Sequence, residues 1–407
     1  MTNKLDNNKI SFFLLFVFCL LSILSGPSVF ICATFFLIIE IIFNINKFKR
    51  INSILIFPYF PFLLIGLLTT LLFWGKANIL DIEKGIFGIL NFLVFLLLGR
   101  ALSVVYNSKI FFKTTMYFGL IYSVYEIMVL SENLSTMVNI NAIRLTINGT
   151  PLFLVFILVL VMNDRILFRT TNRVENYIFT FFLSIAVIFT FSRTSYIYFV
   201  LLILIFLILS FNLRMTNHSI KILMFYFMLA LLFLALIPQD IKNNFLNKVV
   251  NSISEISSQN DWNSENSVVS DWRGFENFSA LTQFKSYDLT HKIFGEGLGA
   301  GIYVGNYAYL IGITNSLYIP YLHNSFYTIL LKMGMIGFLY YALYFVVNIG
   351  YLLQKIKENI FYLLPIGLLV GVLLSSLFTQ GGIVVGHDSL LLIFLGFSSN
   401  RQMYDEI

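Results

Sequence analysis

Charged residues and cysteines are both scarce in this chain of 407 residues. Only 11% of the residues are charged, whereas 58% are hydrophobic, with 45 Phe and 22 Tyr among them. A water-soluble domain could not bury so many large apolar side chains, so the composition indicates a polytopic α-helical membrane protein. The two cysteines, Cys19 and Cys32, both lie within apolar runs. We expect them to be inert packing groups, which excludes a disulfide and thiol redox chemistry.

Long apolar runs alternate with short polar segments along most of the chain. About 20 apolar residues are needed to cross the hydrocarbon core of a bilayer, and on that criterion the sequence predicts twelve spans. The first run is not interpreted as a cleaved signal, because the second run begins directly at Pro27 and no small-x-small cleavage site lies between them. The approximate limits of the predicted spans are 10–26, 27–45, 53–73, 85–106, 110–130, 148–163, 177–193, 195–212, 220–237, 324–350, 360–379 and 383–398.

The basic residues orient this predicted bundle. With a cytoplasmic N-terminus, most of the 26 Lys and Arg residues fall in predicted inside segments, and twelve spans return the C-terminus to the cytoplasm. The net charge of +6 therefore reflects membrane topology and gives no reason to expect nucleic-acid binding. The predicted organisation is a transmembrane region 1–237 with spans one to nine, a large extracytoplasmic loop 238–322, and a transmembrane region 323–407 with spans ten to twelve.

Three arginines collect on the predicted outer side. Arg144 precedes the sixth span, Arg193 lies in the turn between the seventh and eighth spans, and Arg273 lies in the large loop. Each has a structural alternative, since the first two could snorkel to lipid phosphates and Arg273 could pair with Glu276 one helical turn on. A guanidinium near the membrane needs an anionic partner, and a pyrophosphate accepts its paired N–H donors well. We therefore interpret the three arginines as an anion site.

The predicted loop contains two ordered patterns. Trp272, Phe275 and Phe278 recur every third residue, so the sequence predicts an amphipathic helix over 270–287 that either caps the bundle or contacts a substrate. Four glycines then alternate with other residues in 294–301. No strand precedes this run, so it is a poor dinucleotide fingerprint. We interpret it as a backbone that passes close to protein or ligand.

His323 ends the predicted loop and begins the tenth span. It could be a structural residue at the membrane interface. Its place at the outer end of a span, partly shielded from water, and the near-neutral titration of histidine favour a general base. Asn324, His387 and Asp388 are candidate supporting residues, the last two in the short outer loop before the final span. No two His or Cys residues stand at ligand spacing, so no metal site is predicted.

Taken in order, these segments resemble the O-antigen polymerase and O-antigen ligase superfamily of bacterial glycan enzymes. The resemblance extends over the whole predicted topology and four short motifs. Phe326 departs from the family pattern, in which a leucine is commoner at that position. The motifs are Arg144 to Pro151, Ser192 to Thr194, Arg273 with the run Phe294 to Gly301, and His323 to Phe326 with Gly334 and Gly337.

This resemblance implies an all-α polytopic protein of the bacterial inner membrane, a C-type glycosyltransferase-like bundle of about 12 transmembrane helices with one large periplasmic loop. His323 would be the general base, and Arg144, Arg193 and Arg273 would bind the pyrophosphate of an undecaprenyl-pyrophosphate-linked oligosaccharide. No metal ion or other cofactor would be needed. The expected partners are this oligosaccharide and the lipid bilayer, with a chain-length regulator protein left open and no nucleic acid.

Three functions fit these expectations. A polymerase joins one lipid-linked repeat unit to another, a ligase hands the glycan to lipid A core, and a flippase or other transporter moves the lipid-linked glycan. We expect a polymerase, because the aromatic-rich loop, with Trp262, Trp272 and several Tyr near His323, suits stacking on sugar faces. Transporters commonly carry charged residues at the membrane midplane, but here Glu126 and Lys332 are the few candidates and polar residues concentrate on the outer side. A purely structural or partner-binding membrane protein is a further alternative.

Overall fold

The computed structural model describes residues 2–24, 26–48, 55–56, 58–76, 78–132, 151–212, 262, 265–313, 316–384 and 388–400. Arg144, His387 and the predicted span 220–237 lie outside these residues. The described chain is predominantly α-helical. Its helices are α1 (Thr2–Ile23), α2 (Pro27–Phe48), α3 (Tyr59–Leu72), α4 (Ile79–Val105), α5 (Ser108–Glu132), α6 (Leu152–Leu167), α7 (Arg173–Phe189), α8 (Arg193–Asn212), α9 (Glu265–Ser270), α10 (Trp272–Ser286), α11 (Leu289–Phe294), α12 (Ser325–Lys355), α13 (Leu363–Phe378) and α14 (Ser389–Ser398).

Short elements connect these helices. The strands β1 (Ile302–Tyr303) and β2 (Tyr318–Ile319) pair antiparallel, with Tyr303 opposite Tyr318. Two-residue strands are too short to produce an alternating pattern, so the sequence did not predict this hairpin. The 3₁₀ segments are Trp74–Lys76, Gly305–Ile311, Ile360–Tyr362 and Gly381–Ile383.

The positions and the apolar outer surfaces of the helices are those expected of a membrane protein. Every predicted span that falls in the described residues overlaps a helix. Large apolar side chains such as Phe43, Leu71 and Val346 are exposed on the outside of the bundle, a surface that lipid would cover. The chain is therefore an all-α membrane protein, and the number of spans stays a prediction. Among the described residues, the helices long and apolar enough to cross a membrane lie at Pro27–Asn44, Ile79–Val105, Ser325–Lys355 and Ile360–Phe378.

Capping side chains set the starts of two helices. The Asn78 side chain accepts a hydrogen bond from the backbone nitrogen of Leu80 at 3.2 Å. Asn172 and Glu175 form a reciprocal capping box, with both bonds at 2.9 Å. Because such caps satisfy backbone donors that a helix start leaves unpaired, α4 begins before the predicted limit of 85 and α7 before 177.

The bundle is built around α6 and α4. Residues 152–161 of α6 are at most 1% exposed, and the helix packs against α5, α7 and α8, as expected for a helix that is apolar all round. Helix α4 packs closely on α14. A Cβ on Gly99 would lie 2.0 Å from the carbonyl oxygen of Ile393, and one on Gly396 would lie 2.1 Å from that of Leu96. Small residues at such contacts let membrane helices approach closely.

Residues 265–322 pack onto one end of the bundle, which we call the loop end. The backbone nitrogen of Leu298 donates to Thr70 at the end of α3 at 3.0 Å, and the Tyr321 hydroxyl donates to the carbonyl of Lys84 in α4. Helix α10 agrees with the predicted amphipathic helix and buries Phe275 and Ala280. The segment has an apolar core that Leu331 of α12 completes, and its own members are Val268, Phe275, Ala280, Ile302, Val304, Ala308, Ile319 and Leu322.

The glycine-rich run contacts a break in α12. Gly334 has φ +66°, and this left-handed residue interrupts the helix. The carbonyls of Leu331 and Lys332 accept hydrogen bonds from Glu296 and Gly297 at 3.0 and 2.9 Å. A Cβ on Gly334 would lie 2.2 Å from the carbonyl oxygen of Ile293. The prediction that this run passes close to something is therefore confirmed, and the contact is with protein.

Lys332 anchors the same run from inside α12. Its side chain is buried, and Nζ donates to the carbonyl oxygens of Leu298 and Ala300 at 2.7 and 2.8 Å. A buried ammonium requires such partners, because an unsatisfied charge in a low-dielectric interior is costly. In this structure Lys332 thus fixes the path of the backbone that leads to the hairpin.

Candidate active site

His323 contacts a buried carboxylate. Its ring nitrogen Nδ1 lies 2.9 Å from Oε2 and 3.1 Å from Oε1 of Glu276, and its backbone nitrogen donates to Oε2 at 3.0 Å. The Glu276 side chain is 2% exposed and that of His323 is 33% exposed. An ionised carboxylate can only accept hydrogen bonds. In the neutral ring it therefore selects the tautomer that carries the proton on Nδ1 and leaves Nε2 as the proton acceptor.

Helix α10 positions the carboxylate. Asp271 caps the helix, because its side chain accepts from the backbone nitrogen of Gly274 at 3.1 Å. Glu276 lies on the buried side together with Phe275 and Ala280. Arg273 stands three residues before Glu276, so the two are neighbours on the helix surface. The predicted anion ligand Arg273 therefore lies one turn from the residue that holds His323.

The backbone on both sides of His323 is also fixed. Gln380 donates its backbone N–H to the carbonyl of His323 at 2.7 Å, and its own carbonyl accepts from the Ser325 hydroxyl. Gln380 has φ +73°, a left-handed conformation that is uncommon for a residue with a side chain. Strained backbone of this kind persists where surrounding contacts hold it, and it clusters at functional sites.

Asn324 caps α12. Its side-chain oxygen accepts from the backbone nitrogens of Phe326 and Tyr327 at 2.9 and 3.4 Å. The Thr328 hydroxyl accepts from the backbone nitrogen of Leu322 at 3.0 Å. Asn324 thus starts the helix directly after His323, and its role in supporting the histidine stays a prediction.

Asp388 joins three helix ends. Its Oδ1 accepts from the backbone nitrogen of Leu152 at 3.1 Å, and its Oδ2 accepts from the hydroxyls of Thr379 at 3.0 Å and Ser375. Thr379 directly precedes Gln380, which bonds His323. Asp388 is therefore linked to the histidine through the end of α13, and its supporting role stays a prediction. His387, predicted with it, lies outside the described residues.

Arg193 begins α8 and is partly buried. It follows a turn in which Phe191 has φ +44° and the backbone nitrogen of Ser195 donates to the Ser192 hydroxyl at 3.3 Å. Helices α6, α7 and α8 alternate in direction through short connections, so the α7–α8 turn lies at the same end as the start of α6. The structure thus brings Arg193, Arg273 and His323 to the loop end.

The two tryptophans expected near the sugar have a different setting. Trp262 packs edge-on against Phe275, with 5.6 Å between the ring centroids. Trp272 packs in a tilted arrangement against the same ring, with 5.7 Å between the centroids. Both belong to the apolar cluster inside the loop segment. Tyrosines of the hairpin are more exposed, with Tyr303 at 49% and Tyr318 at 50%. Spacing alone could not distinguish aromatic residues of the core from those of a surface.

Glu276 is the residue whose contact with His323 sequence reasoning missed. It entered the sequence interpretation as a structural partner of Arg273, whereas its carboxylate holds His323. A signal was present, because Glu276 and Ala280 stand four residues apart on the stripe that the helix buries. A carboxylate at a buried helical position needs a partner from another element.

The fold and this site define an α-helical membrane protein that holds a histidine–glutamate pair at the loop end. Residues 178–342 match the family model described as O-antigen ligase, which confirms the resemblance to the O-antigen polymerase and ligase superfamily. The matched segment includes Arg193, Arg273, Glu276 and His323 and ends within α12. The description of this family is that of a glycan-transferring enzyme. No curated protein matches the chain.

Proposed function

We propose that this protein is a glycosyltransferase that joins undecaprenyl-pyrophosphate-linked oligosaccharide repeat units into an O-antigen or related surface polysaccharide. The observation that carries the proposal is the His323–Glu276 pair, which lies within the segment that matches the O-antigen ligase family. A histidine held by a buried carboxylate suits general-base catalysis, because the carboxylate orients the ring and stabilises the imidazolium that forms.

The proposed reaction is a direct displacement. A hydroxyl of the acceptor sugar attacks the anomeric carbon of the donor, and Nε2 of His323 takes the hydroxyl proton as the new C–O bond forms. The bond between the anomeric carbon and the pyrophosphate oxygen breaks, and undecaprenyl pyrophosphate leaves with the electron pair. This route inverts the anomeric centre. Because a pyrophosphate is already a good leaving group, the step consumes no nucleotide and is proposed to be independent of metal ions.

Arg144, Arg193 and Arg273 are the proposed ligands of the pyrophosphate. A guanidinium offers two parallel N–H donors that match the oxygens of a phosphate group, and its charge stabilises the leaving group as the bond breaks. The position of Arg193 at the loop end and of Arg273 one turn before Glu276 supports this assignment for two of the three.

The proposed setting is a bacterial inner membrane. Twelve spans would leave both termini in the cytoplasm, and the loop end would face the periplasm with the large loop 238–322 between the transmembrane regions 1–237 and 323–407. The distribution of basic residues supports this orientation. Lipid-linked repeat units would then reach His323 from the outer leaflet.

A ligase that hands the glycan to lipid A core is the second candidate. The matching family model carries that description. The donor, the base and the leaving group would be the same, and only the acceptor would differ.

The test uses purified protein in lipid nanodiscs with lipid-linked repeat units. The variant H323A should bind the donor, since the arginines are untouched, but its rate of glycan extension should fall by about 10²–10⁴. In cells, a polymerase defect removes long polysaccharide ladders and keeps the single-repeat product, whereas a ligase defect removes the single repeat from lipid A core as well. Extension by H323A at a near-normal rate would contradict the proposal.

A further inference from the structure

A cleft lies in the loop segment beside the candidate active site. Its volume is about 1180 Å³, larger than the roughly 300–1,000 Å³ of most small-molecule sites. The walls are α10, the β1–β2 hairpin and the 3₁₀ segment Gly305–Ile311. A space of this size suits an oligomeric ligand rather than a single sugar.

One wall is aromatic. Tyr303, Tyr309 and Tyr318 line the cleft, and each is between 45% and 50% exposed. Tyr303 and Tyr318 face each other across the hairpin with ring centroids 5.3 Å apart. Exposed rings that are fixed by a hairpin can cover the C–H face of a sugar, because an aromatic ring buries a large apolar area with little loss of conformational freedom.

Helix α10 contributes polar side chains to the cleft. Ser279, Thr282 and Ser286 lie at helical spacing on the side of α10 that faces the cleft. Gln283 ties this helix to the hairpin, since its Oε1 accepts from the backbone nitrogen of Tyr303 at 2.9 Å and its Nε2 donates to the carbonyl of Gly301 at 3.2 Å. Serine and threonine hydroxyls both donate and accept hydrogen bonds, as sugar hydroxyls do.

The charge of the described lining disfavours anions. Glu265, Asp288 and Glu296 contribute carboxylates, and no Lys or Arg is among the described residues that line the cleft. His291 lies beside Asp288, with Nδ1 2.6 Å from Oδ1. Burial, and next the nearby Glu296, raise the pKa of Tyr287, so that hydroxyl keeps its proton. Carboxylates accept hydrogen bonds from sugar hydroxyls and repel phosphates and uronic acids.

We propose that this cleft binds uncharged sugars of the acceptor glycan, away from its reacting hydroxyl. The inference rests on the proposed function, because the acceptor glycan is a substrate of the proposed glycosyltransferase. Helix α10 connects the candidate active site to the cleft. Glu276 of this helix contacts His323, and the preceding residue, Phe275, lines the cleft. The cleft and the base therefore lie on adjacent sides of one helix, a separation on the order of its 10–12 Å diameter. The pyrophosphate is bound elsewhere, at the arginines.

The test measures glycan binding to the full chain in lipid nanodiscs by saturation-transfer NMR and titration. The probe is the oligosaccharide released by mild acid from the lipid-linked repeat units of the source bacterium, and tetragalacturonate is the acidic comparator. Y303A and Y318A should each weaken binding of the repeat-unit probe about tenfold, a difference of about 1.4 kcal/mol. Y303F keeps the ring and should bind nearly as the wild type does. Leu317 is exposed next to Tyr318 but does not line the cleft, so L317A is the matched control.

Two results would overturn the inference: an unchanged Kd in both Tyr→Ala variants, or tighter binding of tetragalacturonate than of the repeat-unit probe. The H323A variant separates a failure of this inference from a failure of the proposed function. Its binding of the repeat-unit probe should equal that of the wild type, because His323 does not line the cleft in the described structure. Loss of extension in H323A together with normal binding in Y303A and Y318A would keep the proposed function and reject the cleft.

Discussion

The Glu276 carboxylate accepts hydrogen bonds from two nitrogens of His323, the backbone nitrogen at 3.0 Å and the ring nitrogen Nδ1 at 2.9 Å. The first bond fixes where the residue stands, and the second fixes the rotation of its ring. Glu276 is buried on α10, whereas His323 lies at the start of α12, so one side chain couples the loop segment to the bundle. A displacement of α10 would therefore change both the position and the ring orientation of the proposed base.

Replacement of Glu276 by Gln should reduce the rate of glycan extension by about tenfold or more, within the range of general-base catalysis. The amide has nearly the same volume, but it adds a donor and removes the charge that stabilises an imidazolium. The double variant with H323A should be no slower than H323A alone, since the two residues act as a unit. Glu358 is an exposed glutamate beyond the far end of α12, so E358Q is the control. An E276Q rate within about twofold of wild type would show that the carboxylate only holds the fold.

Replacement of Arg193 or Arg273 by Lys should reduce extension at least tenfold, while the amount of protein in the membrane stays unchanged. Lysine keeps the charge but loses the paired N–H donors that match a phosphate. Rates of extension and immunoblots of membrane fractions would measure the two quantities. Full activity of both variants would mean that these arginines only anchor the bundle.

Much of the fold follows from the apolar runs, because about 20 such residues must form a helix to cross a bilayer. The spacing of Trp272, Phe275 and Phe278 predicted α10 for the same physical reason, a buried stripe at helical period. Helix starts were less accurate, since the apolar pattern does not include polar caps such as Asn78 and Asn172.

The candidate site was only partly predictable. His323 was identified by its position at the end of the polar stretch, but its contact with Glu276 joins residues 47 positions apart. Sequence spacing identifies only close neighbours on one helix, so it offered Arg273 as the partner of Glu276. The strained turn at Gln380 has no signal at all, because glutamine does not favour a left-handed backbone.

Reporter fusions should place the loop end outside the cytoplasm. Fusions after Arg169, between α6 and α7, and after Lys357, beyond α12, should report the cytoplasm, since both positions lie opposite the loop end. A fusion after Ser286 at the end of α10 should report the outer side. Alkaline phosphatase and green fluorescent protein fusions give opposite signals on the two sides. A cytoplasmic signal at Ser286 would contradict both the orientation and a periplasmic reaction.

Two glycines of α12 should respond in opposite ways to alanine. Gly334 has φ +66°, and a Cβ there would lie 2.2 Å from the carbonyl oxygen of Ile293, so Gly334→Ala must displace the glycine-rich run. Gly350 has no atom within 4 Å of an added Cβ. Gly350→Ala should be neutral or stabilise the protein by about 0.5–1 kcal/mol, because alanine favours the helix.

Thermal unfolding in detergent, followed by intrinsic fluorescence, measures both variants against the wild type. We expect a lower midpoint for Gly334→Ala and an equal or higher one for Gly350→Ala. Gly334→Ala should also lose glycan extension, because the displaced run leads through Leu298 and Ala300 to the hairpin that α10 packs against. Equal midpoints for the two variants would mean that α12 is not broken at Gly334, and the close contact between the glycine-rich run and this helix would then be wrong.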